Sequence, residues 1–209
     1  ILLQILAPAI IVGAAVAGTI GLLGTFVGSA LIVLAIRLLD GPEAYVHHVT
    51  RSIFALAYAP LLAGFAVLLS TQENGAWKVL AFILLTAGTD LGGYAAGAIF
   101  GKHPMAPKIS PKKSWEGLVG SVVFTSIGGA LSFHYILDLQ WWIGALVALM
   151  IVFTATSGDL IESAMKRDLS LKDMGSLLPG HGGMLDRLDS VLLSAPALYL
   201  ALELVKRFS

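Results

Sequence analysis

The chain has no cysteine and few charged side chains. Only 12% of its 209 residues are charged, whereas a soluble domain typically carries about 25%. The lack of cysteine excludes disulfides and thiolate metal ligands, and it leaves the redox compartment undetermined. Thirteen basic and thirteen acidic residues give a formal net charge of zero, which offers no argument for a nucleic-acid partner. The positions of the few charges therefore carry the functional information.

Hydrophobic residues make up 57% of the chain, which indicates an integral membrane protein. A transmembrane helix needs about 20 largely apolar residues. We therefore predict an all-α polytopic membrane bundle, a single membrane-embedded domain with N-terminal helices in 1–76 and catalytic helices and cytoplasmic loops in 77–209. About seven segments qualify as transmembrane helices: 1–18, 19–39, 53–70, 77–100, 117–137, 141–158 and 190–207.

The first two segments meet at Gly18-Thr19 and must turn tightly there. The chain begins with Ile1 and no charged segment precedes its first apolar run, so we expect that the native N-terminus is missing and that the run is not a signal peptide.

Basic residues are concentrated in the loops of one side of the predicted bundle. Cytoplasmic loops of membrane proteins carry an excess of lysine and arginine. We therefore expect a protein of the cell membrane whose active site faces the cytoplasm. Ten of the thirteen basic residues lie on this side: Arg37, Arg51, Lys102, Lys108, Lys112, Lys113, Lys166, Arg167, Lys172 and Arg187.

The most charged stretch runs from Ser157 to Asp189. Its first half has helical spacing, because Asp159, Glu162, Ser163 and Lys166 stand at i, i+3, i+4 and i+7 and so share one helix face. We expect this helix to end near Gly175, where a loop rich in glycine and proline begins.

The second half of the stretch supplies carboxylates from a second helix end. Asp186 and Asp189 open the next apolar segment, where acidic side chains suit the positive helix terminus. We expect the two halves to fold back and bring Asp159 and Asp186 together around a cation, with Glu162 as a further ligand. Oxygen ligands favour a hard ion such as Mg²⁺, and the pattern leaves a second cation open.

The chain has no Walker-type sequence and no dinucleotide-binding glycine motif. Phosphates would instead be held by basic side chains and by backbone N–H groups of the glycine loop. The candidates are Lys166, Arg167, Lys172, His181, Gly182 and Gly183.

Asp90 is unusual because it lies in the middle of an apolar segment. A carboxylate there costs about 2.5–3.5 kcal/mol on insertion scales and needs a partner or a water-filled cavity. Gly93 and Gly97 follow it and form a small-residue face for close helix packing, which also permits a homodimer. In the next loop, Lys112 and Lys113 can meet either a substrate phosphate or anionic lipid headgroups.

The segment SAMKRDLSLKDMGSLLPGHGGMLDRLD, from Ser163 to Asp189, resembles the signature of the CDP-diacylglycerol synthase family, also called phosphatidate cytidylyltransferases. The segments TDLGGYAAGAIFGKHP, 89–104, and ISPKKSWEG, 109–117, resemble two further parts of that family. The resemblance implies magnesium-dependent transfer of CMP from CTP to phosphatidate, which yields CDP-diacylglycerol and pyrophosphate.

The residue pattern and the resemblance together predict roles for individual residues. Catalysis falls to Asp159, Asp186, Lys166 and Lys172, with Asp159, Asp186 and Glu162 as metal ligands. Substrate binding falls to Arg167, His181, Gly182, Gly183, Arg187, Lys112, Lys113, Ser114, Ser163 and Asp90.

Two other functions are compatible with parts of the pattern. A CTP-dependent polyprenol or phytol kinase would use the same nucleotide but transfer its terminal phosphate. A cation-coupled transporter would account for acidic residues such as Asp90 and Asp159 in helices, but it leaves the basic and glycine-rich loop without a role.

Overall fold

We analysed a computed structural model, which describes residues 1–175 and 183–208. Within these residues the chain is almost entirely helical, and a single two-stranded hairpin interrupts the helices. It divides into two compact units, Ile1–Gly75 and Ala76–Ser209.

The first unit begins with α1, Leu2–Leu38, which is folded back on itself. Ala17 and Gly18 have non-helical dihedral angles, and Gly18 has a φ of 61°, a conformation that glycine adopts readily. A Cβ on Gly13 would lie 2.5 Å from the hydroxyl oxygen of Thr25, although the two residues are twelve positions apart. The arms 2–16 and 19–38 therefore pack against each other, as the predicted tight turn requires.

A second continuous helical stretch completes this unit. Helix α2, Tyr45–Leu56, continues through a π-helical turn, Ala57–Leu61, into α3, Leu62–Thr71. Pro60 lies in the π-helical turn, where its missing N–H interrupts the regular hydrogen-bond ladder. Residues 45–52, which lie between the predicted transmembrane segments 19–39 and 53–70, are helical.

The second unit is built from four helices: α4, Gly75–Phe100; α5, Trp115–Tyr135; α6, Trp141–Asp168; and α7, Asp189–Phe208. Helix α5 packs against α6, and α6 packs against α7. The glycines predicted to permit close packing lie between α4 and α5, where a Cβ on Gly93 would lie 2.6 Å from Ser121 Oγ. Ser121 Oγ also donates a hydrogen bond to the Thr89 carbonyl at 2.7 Å.

A β-hairpin connects α4 with α5. Strand β1, Pro104–Ala106, pairs in antiparallel register with β2, Ser110–Ser114. The Glu116 carboxylate accepts the backbone N–H groups of Lys102 and His103, each at 3.2 Å. Ser114 then caps α5 by accepting the N–H of Gly117 at 3.1 Å. These bonds fix β2 relative to the start of α5.

Among residues 1–175 and 183–208, five helical stretches are long and apolar enough to cross a membrane: Leu2–Leu38, Tyr45–Thr71, Gly75–Phe100, Trp115–Tyr135 and Trp141–Asp168. The chain is thus an all-α, polytopic membrane protein. Two of the seven predicted segments form the arms of α1. The last predicted segment is α7, which carries charged residues at both ends and is not among the five. The count of seven stays a prediction.

Candidate active site

Helix α6 presents the row of polar residues that its spacing predicts. Asp159, Glu162, Ser163 and Lys166 all lie in its last three turns. The helix ends at Asp168, seven residues before the predicted end near Gly175. Ser170 has a φ of 54° there, and the Leu171 N–H donates to the Lys166 carbonyl at 2.8 Å. This arrangement resembles a Schellman cap and turns the chain away from the helix axis.

Asp159 is paired with a lysine from the hairpin. The Nζ of Lys113, on β2, donates a short hydrogen bond to Asp159 Oδ2. Asp90 lies within electrostatic range of both side chains and also contacts Ser190 at the start of α7. Asp90 lines a cavity of about 300 Å³ together with Lys113 and Asp159. The Asp90 carboxylate, in the middle of α4, therefore faces the site. This agrees with the free-energy cost of exposing a carboxylate to lipid.

Lys166 forms a bridge between two carboxylates. Its Nζ lies 2.9 Å from Glu162 Oε2 and 3.0 Å from Asp186 Oδ1. Glu162 is 1% exposed, and Lys166 therefore compensates a charge that could not otherwise be buried. Lys166 thus links α6 to the segment around Asp186, while the meeting of Asp159 and Asp186 around one cation stays a prediction.

Asp186 also ties together the two ends of the glycine-rich loop. Its Oδ2 accepts the backbone N–H groups of Met174 and Gly183, both at 2.8 Å. Burial raises the pKa of Asp186, but the hydrogen bonds from Lys166 and from these N–H groups outweigh burial and hold the pKa below its usual range. Asp186 is therefore anionic at neutral pH.

Asp189 belongs to the site, whereas the sequence predicted it only as an acidic residue at a helix start. It interacts with Glu162 and Asp159, and burial raises its pKa to about 8. Its backbone packs against Gly158, where a Cβ would lie 3.1 Å from the Asp189 carbonyl carbon. The i, i+3 spacing from Asp186 was the available signal, but spacing cannot show that α6 and α7 meet at this residue.

The acidic side chains of this site offer oxygen ligands for a metal ion. The buried Oε1 of Glu162 has no hydrogen-bond partner among the described residues. The acidic residues near it, Asp186 and Asp189, offer only oxygen atoms as ligands. Among the described residues, no group of three His, Asp or Glu side chains is arranged so that it could hold a metal ion by itself. Asp159 and Asp186 belong to two separate ion pairs. These residues fit an ion that is held by one or two carboxylates and completed by substrate phosphates.

The other predicted residues fall into three groups. Lys112 and Ser114 line the cavity beside Asp90, and Lys112 also lines a second cavity of about 280 Å³ with Ser163, Lys166, Arg167 and Lys172. Arg187 lies in the short 3₁₀ turn Leu185–Arg187, on the exposed surface. His181 and Gly182 lie outside the described residues.

Comparison with known proteins identifies the family. The sequence model of the cytidylyltransferase family matches residues 2–205. The chain belongs to the cytidylyltransferase family. This match covers the three motif segments and both structural units, and it agrees with the resemblance found in residues 89–104, 109–117 and 163–189.

Several curated members of the cytidylyltransferase family are similar to this chain over most of its length. The phosphatidate cytidylyltransferase of Mycobacterium bovis is 40% identical over 201 residues, which cover 90% of this chain and 66% of that protein. The enzyme of that name from Mycobacterium leprae is 45% identical over 169 residues, or 80% and 54%. The one from Staphylococcus aureus is 34% identical over 182 residues, or 86% and 69%. The chain spans less than two thirds of the mycobacterial relatives.

Proposed function

We propose that this protein is a phosphatidate cytidylyltransferase, which transfers CMP from CTP to phosphatidate and releases pyrophosphate. The observation that carries the proposal is the convergence of three motif segments on one site. Asp90 comes from the first segment and Lys113 from the second, and both lie beside Asp159. Lys112 of the second segment lines a cavity with Lys166 and Arg167 of the third. The names of the curated relatives support this assignment.

The charge distribution of the site suits a reaction between two anions. A phosphate oxygen of the lipid would attack the α-phosphorus of CTP, and the bond from that phosphorus to the β-phosphate oxygen would break as pyrophosphate leaves. The nucleophile is already ionised, so no general base is needed. The main obstacle is repulsion between phosphates, which fixed cations such as Lys113 and Lys166 reduce.

We also propose that Mg²⁺ takes part, held by Asp159 and Asp186 with Glu162 and by phosphate oxygens of the substrates. Bound Mg²⁺ would supply positive charge to the reacting phosphates. The partnerless Oε1 of Glu162 supports this assignment, as do the oxygen-only ligands. A second cation would fit the same chemistry, because Asp189 adds a further carboxylate beside Glu162.

We propose that the protein lies in the cell membrane with this site facing the cytoplasm, because six of the thirteen basic residues lie around the hairpin and at the end of α6. CTP would then arrive from water while the acyl chains of phosphatidate remain in the bilayer. A homodimer is compatible with this arrangement and is testable by mass measurement in detergent.

The position of a radioactive label in the lipid product tests the proposed reaction. Purified protein would be incubated with phosphatidate vesicles, Mg²⁺ and CTP labelled at either the α- or the γ-phosphate. We expect label from the α-phosphate to enter the lipid and label from the γ-phosphate to leave as pyrophosphate. Transfer of the γ-label to a polyprenol or phytol acceptor would instead establish a lipid kinase, and ion flux without any lipid product would establish a transporter.

A further inference from the structure

Strand β2 forms the common wall of two cavities in the second unit. The first cavity, of about 300 Å³, contains Asp90, Lys113 and Asp159 in its lining. The second, of about 280 Å³, contains Lys166, Arg167 and Lys172. Ser110 and Lys112 line both cavities. The two spaces are therefore adjacent, and the Lys112 side chain lies at their boundary.

The second cavity has an excess of positive charge. Its described lining includes four cationic residues and no acidic one. Lys166 is neutralised by Glu162 and Asp186, but Lys112, Arg167 and Lys172 form no ion pair within residues 1–175 and 183–208. Three uncompensated cations around a small cavity favour a ligand with several negative charges, such as a polyphosphate.

The first cavity differs in both charge and polarity. Lys113 is paired with Asp159, and Asp90 lies within electrostatic range of the same lysine, so two acidic residues face two lysines in this lining. Tyr94, Met105 and Leu118 add apolar surface to its lining. Tyr94 is 77% exposed on the membrane-spanning helix α4, so this cavity lies beside a face that borders lipid. Tyrosine suits such a boundary because its ring is apolar and its hydroxyl is polar.

We propose that the two substrates bind on opposite sides of β2. The cationic cavity beside Arg167 and Lys172 binds the triphosphate of CTP. The cavity beside Tyr94 admits the phosphate headgroup of the diacyl lipid from the bilayer. Lys112 lies between the two phosphates and interacts with both. This assignment rests on the proposed cytidylyltransferase function and specifies which part of the site receives each substrate.

The assignment of the two substrates to opposite sides of β2 predicts a separate kinetic effect for each cavity. The full chain would be assayed in mixed micelles, with CTP and the surface fraction of phosphatidate varied independently. We expect Lys172→Ala to raise the KM for CTP by about tenfold, as loss of one charge-assisted contact implies, with the KM for phosphatidate unchanged. Tyr94→Ala should raise only the KM for phosphatidate, and Lys112→Ala should raise both. Lys108→Ala, which removes an exposed charge from the same hairpin outside both cavities, is the matched control.

Binding of labelled CTP in the absence of lipid provides a second readout that does not depend on turnover. Equilibrium dialysis should show weaker binding for Lys172→Ala and Lys112→Ala, unchanged binding for Tyr94→Ala, and recovery in Lys172→Arg. Weaker CTP binding by Tyr94→Ala, or unchanged binding by Lys172→Ala and Lys112→Ala, would overturn the division. If the wild-type protein forms no cytidylylated lipid, the proposed function itself fails. If it forms that lipid but the two KM values change together in every variant, only the division into two subsites fails.

Discussion

Lys113 Nζ forms an ion pair with Asp159 Oδ2, although the two residues are 46 positions apart in the chain. The pair joins strand β2 to helix α6. The side chains are 25% and 21% exposed, respectively, so water compensates only part of either charge if its partner is removed. The position of the hairpin and the charge of the proposed catalytic carboxylate are therefore linked.

Replacing Lys113 by methionine should lower kcat/KM by about a hundredfold, because Asp159 loses its partner and the site loses a cation near the reacting phosphates. Lys113→Arg keeps the charge and should retain more activity. The measurement is steady-state kinetics with purified protein, CTP and phosphatidate, and Lys108→Met is the control for charge loss on the hairpin. A value for Lys113→Met within twofold of wild type would refute the role of this pair.

Asp159→Asn and Asp186→Asn should each abolish activity while the protein remains folded. The first change removes the anionic partner of Lys113, and the second removes one of the two anionic partners of Lys166. Asp186→Asn should also weaken the link between Met174 and Gly183, whose N–H groups the Asp186 carboxylate accepts. Activity, thermal unfolding and limited trypsin digestion would be compared. Near-normal turnover by either variant would contradict the proposed metal ligands.

The stabilising effect of Asp186 should depend on pH in a defined direction. Its pKa is lower in the folded chain than the usual value of about 4 in an unfolded chain. The ionised carboxylate therefore contributes its full stabilisation above about pH 4 and loses it as the pH falls towards the folded-state pKa. Melting temperatures of wild type and Asp186→Asn should differ most near neutral pH and converge in acid. A difference in melting temperature between wild type and Asp186→Asn that grows below pH 4 would contradict this direction of pH dependence.

Gly158 should be intolerant of a side chain. A Cβ there would lie within 3.3 Å of the Cα of Ser190 and would collide with the Asp189 carbonyl oxygen. Gly158→Leu should force α6 and α7 apart and lower the melting temperature by roughly 2–10 °C, with loss of activity as Asp189 moves from Glu162. Gly128→Ala in α5 is the control, because its Cβ would meet no atom within 4 Å. Equal melting temperatures for the two variants would contradict this close packing.

Removal of divalent ions should abolish turnover, and added Mg²⁺ should restore it. Glu162→Gln should raise the Mg²⁺ concentration needed for half-maximal activity, because it replaces a carboxylate oxygen that has no hydrogen-bond partner in the described chain. Thermal unfolding with and without Mg²⁺ and CTP gives an independent measure of binding. Full activity in excess chelator, or an unchanged Mg²⁺ requirement in Glu162→Gln, would exclude the proposed role of this residue.

The sequence by itself determined the class of protein and the position of its chemistry. Membrane insertion depends on the length of apolar runs, which is a local property. The polar row on α6 was predicted because helix periodicity is also local. The motif segments predicted the family, which the match over residues 2–205 confirms. Local signals were weaker at element ends, so the helix that starts at Tyr45 was missed and the end of α6 was placed seven residues too late.

The tertiary structure decided which charges neutralise each other. The i, i+4 spacing indicates the pairing of Lys166 with Glu162. No spacing rule indicates that Lys113 pairs with Asp159, that Lys166 also reaches Asp186, or that Asp189 joins the site at Gly158. The same holds for the β-hairpin, whose strands supply the wall between two cavities. These features depend on contacts between residues distant in the chain, and such contacts exist only after the helices have packed. The sequence thus determined which ionisable groups are present, whereas packing determined their partners and the surfaces on which substrates can bind.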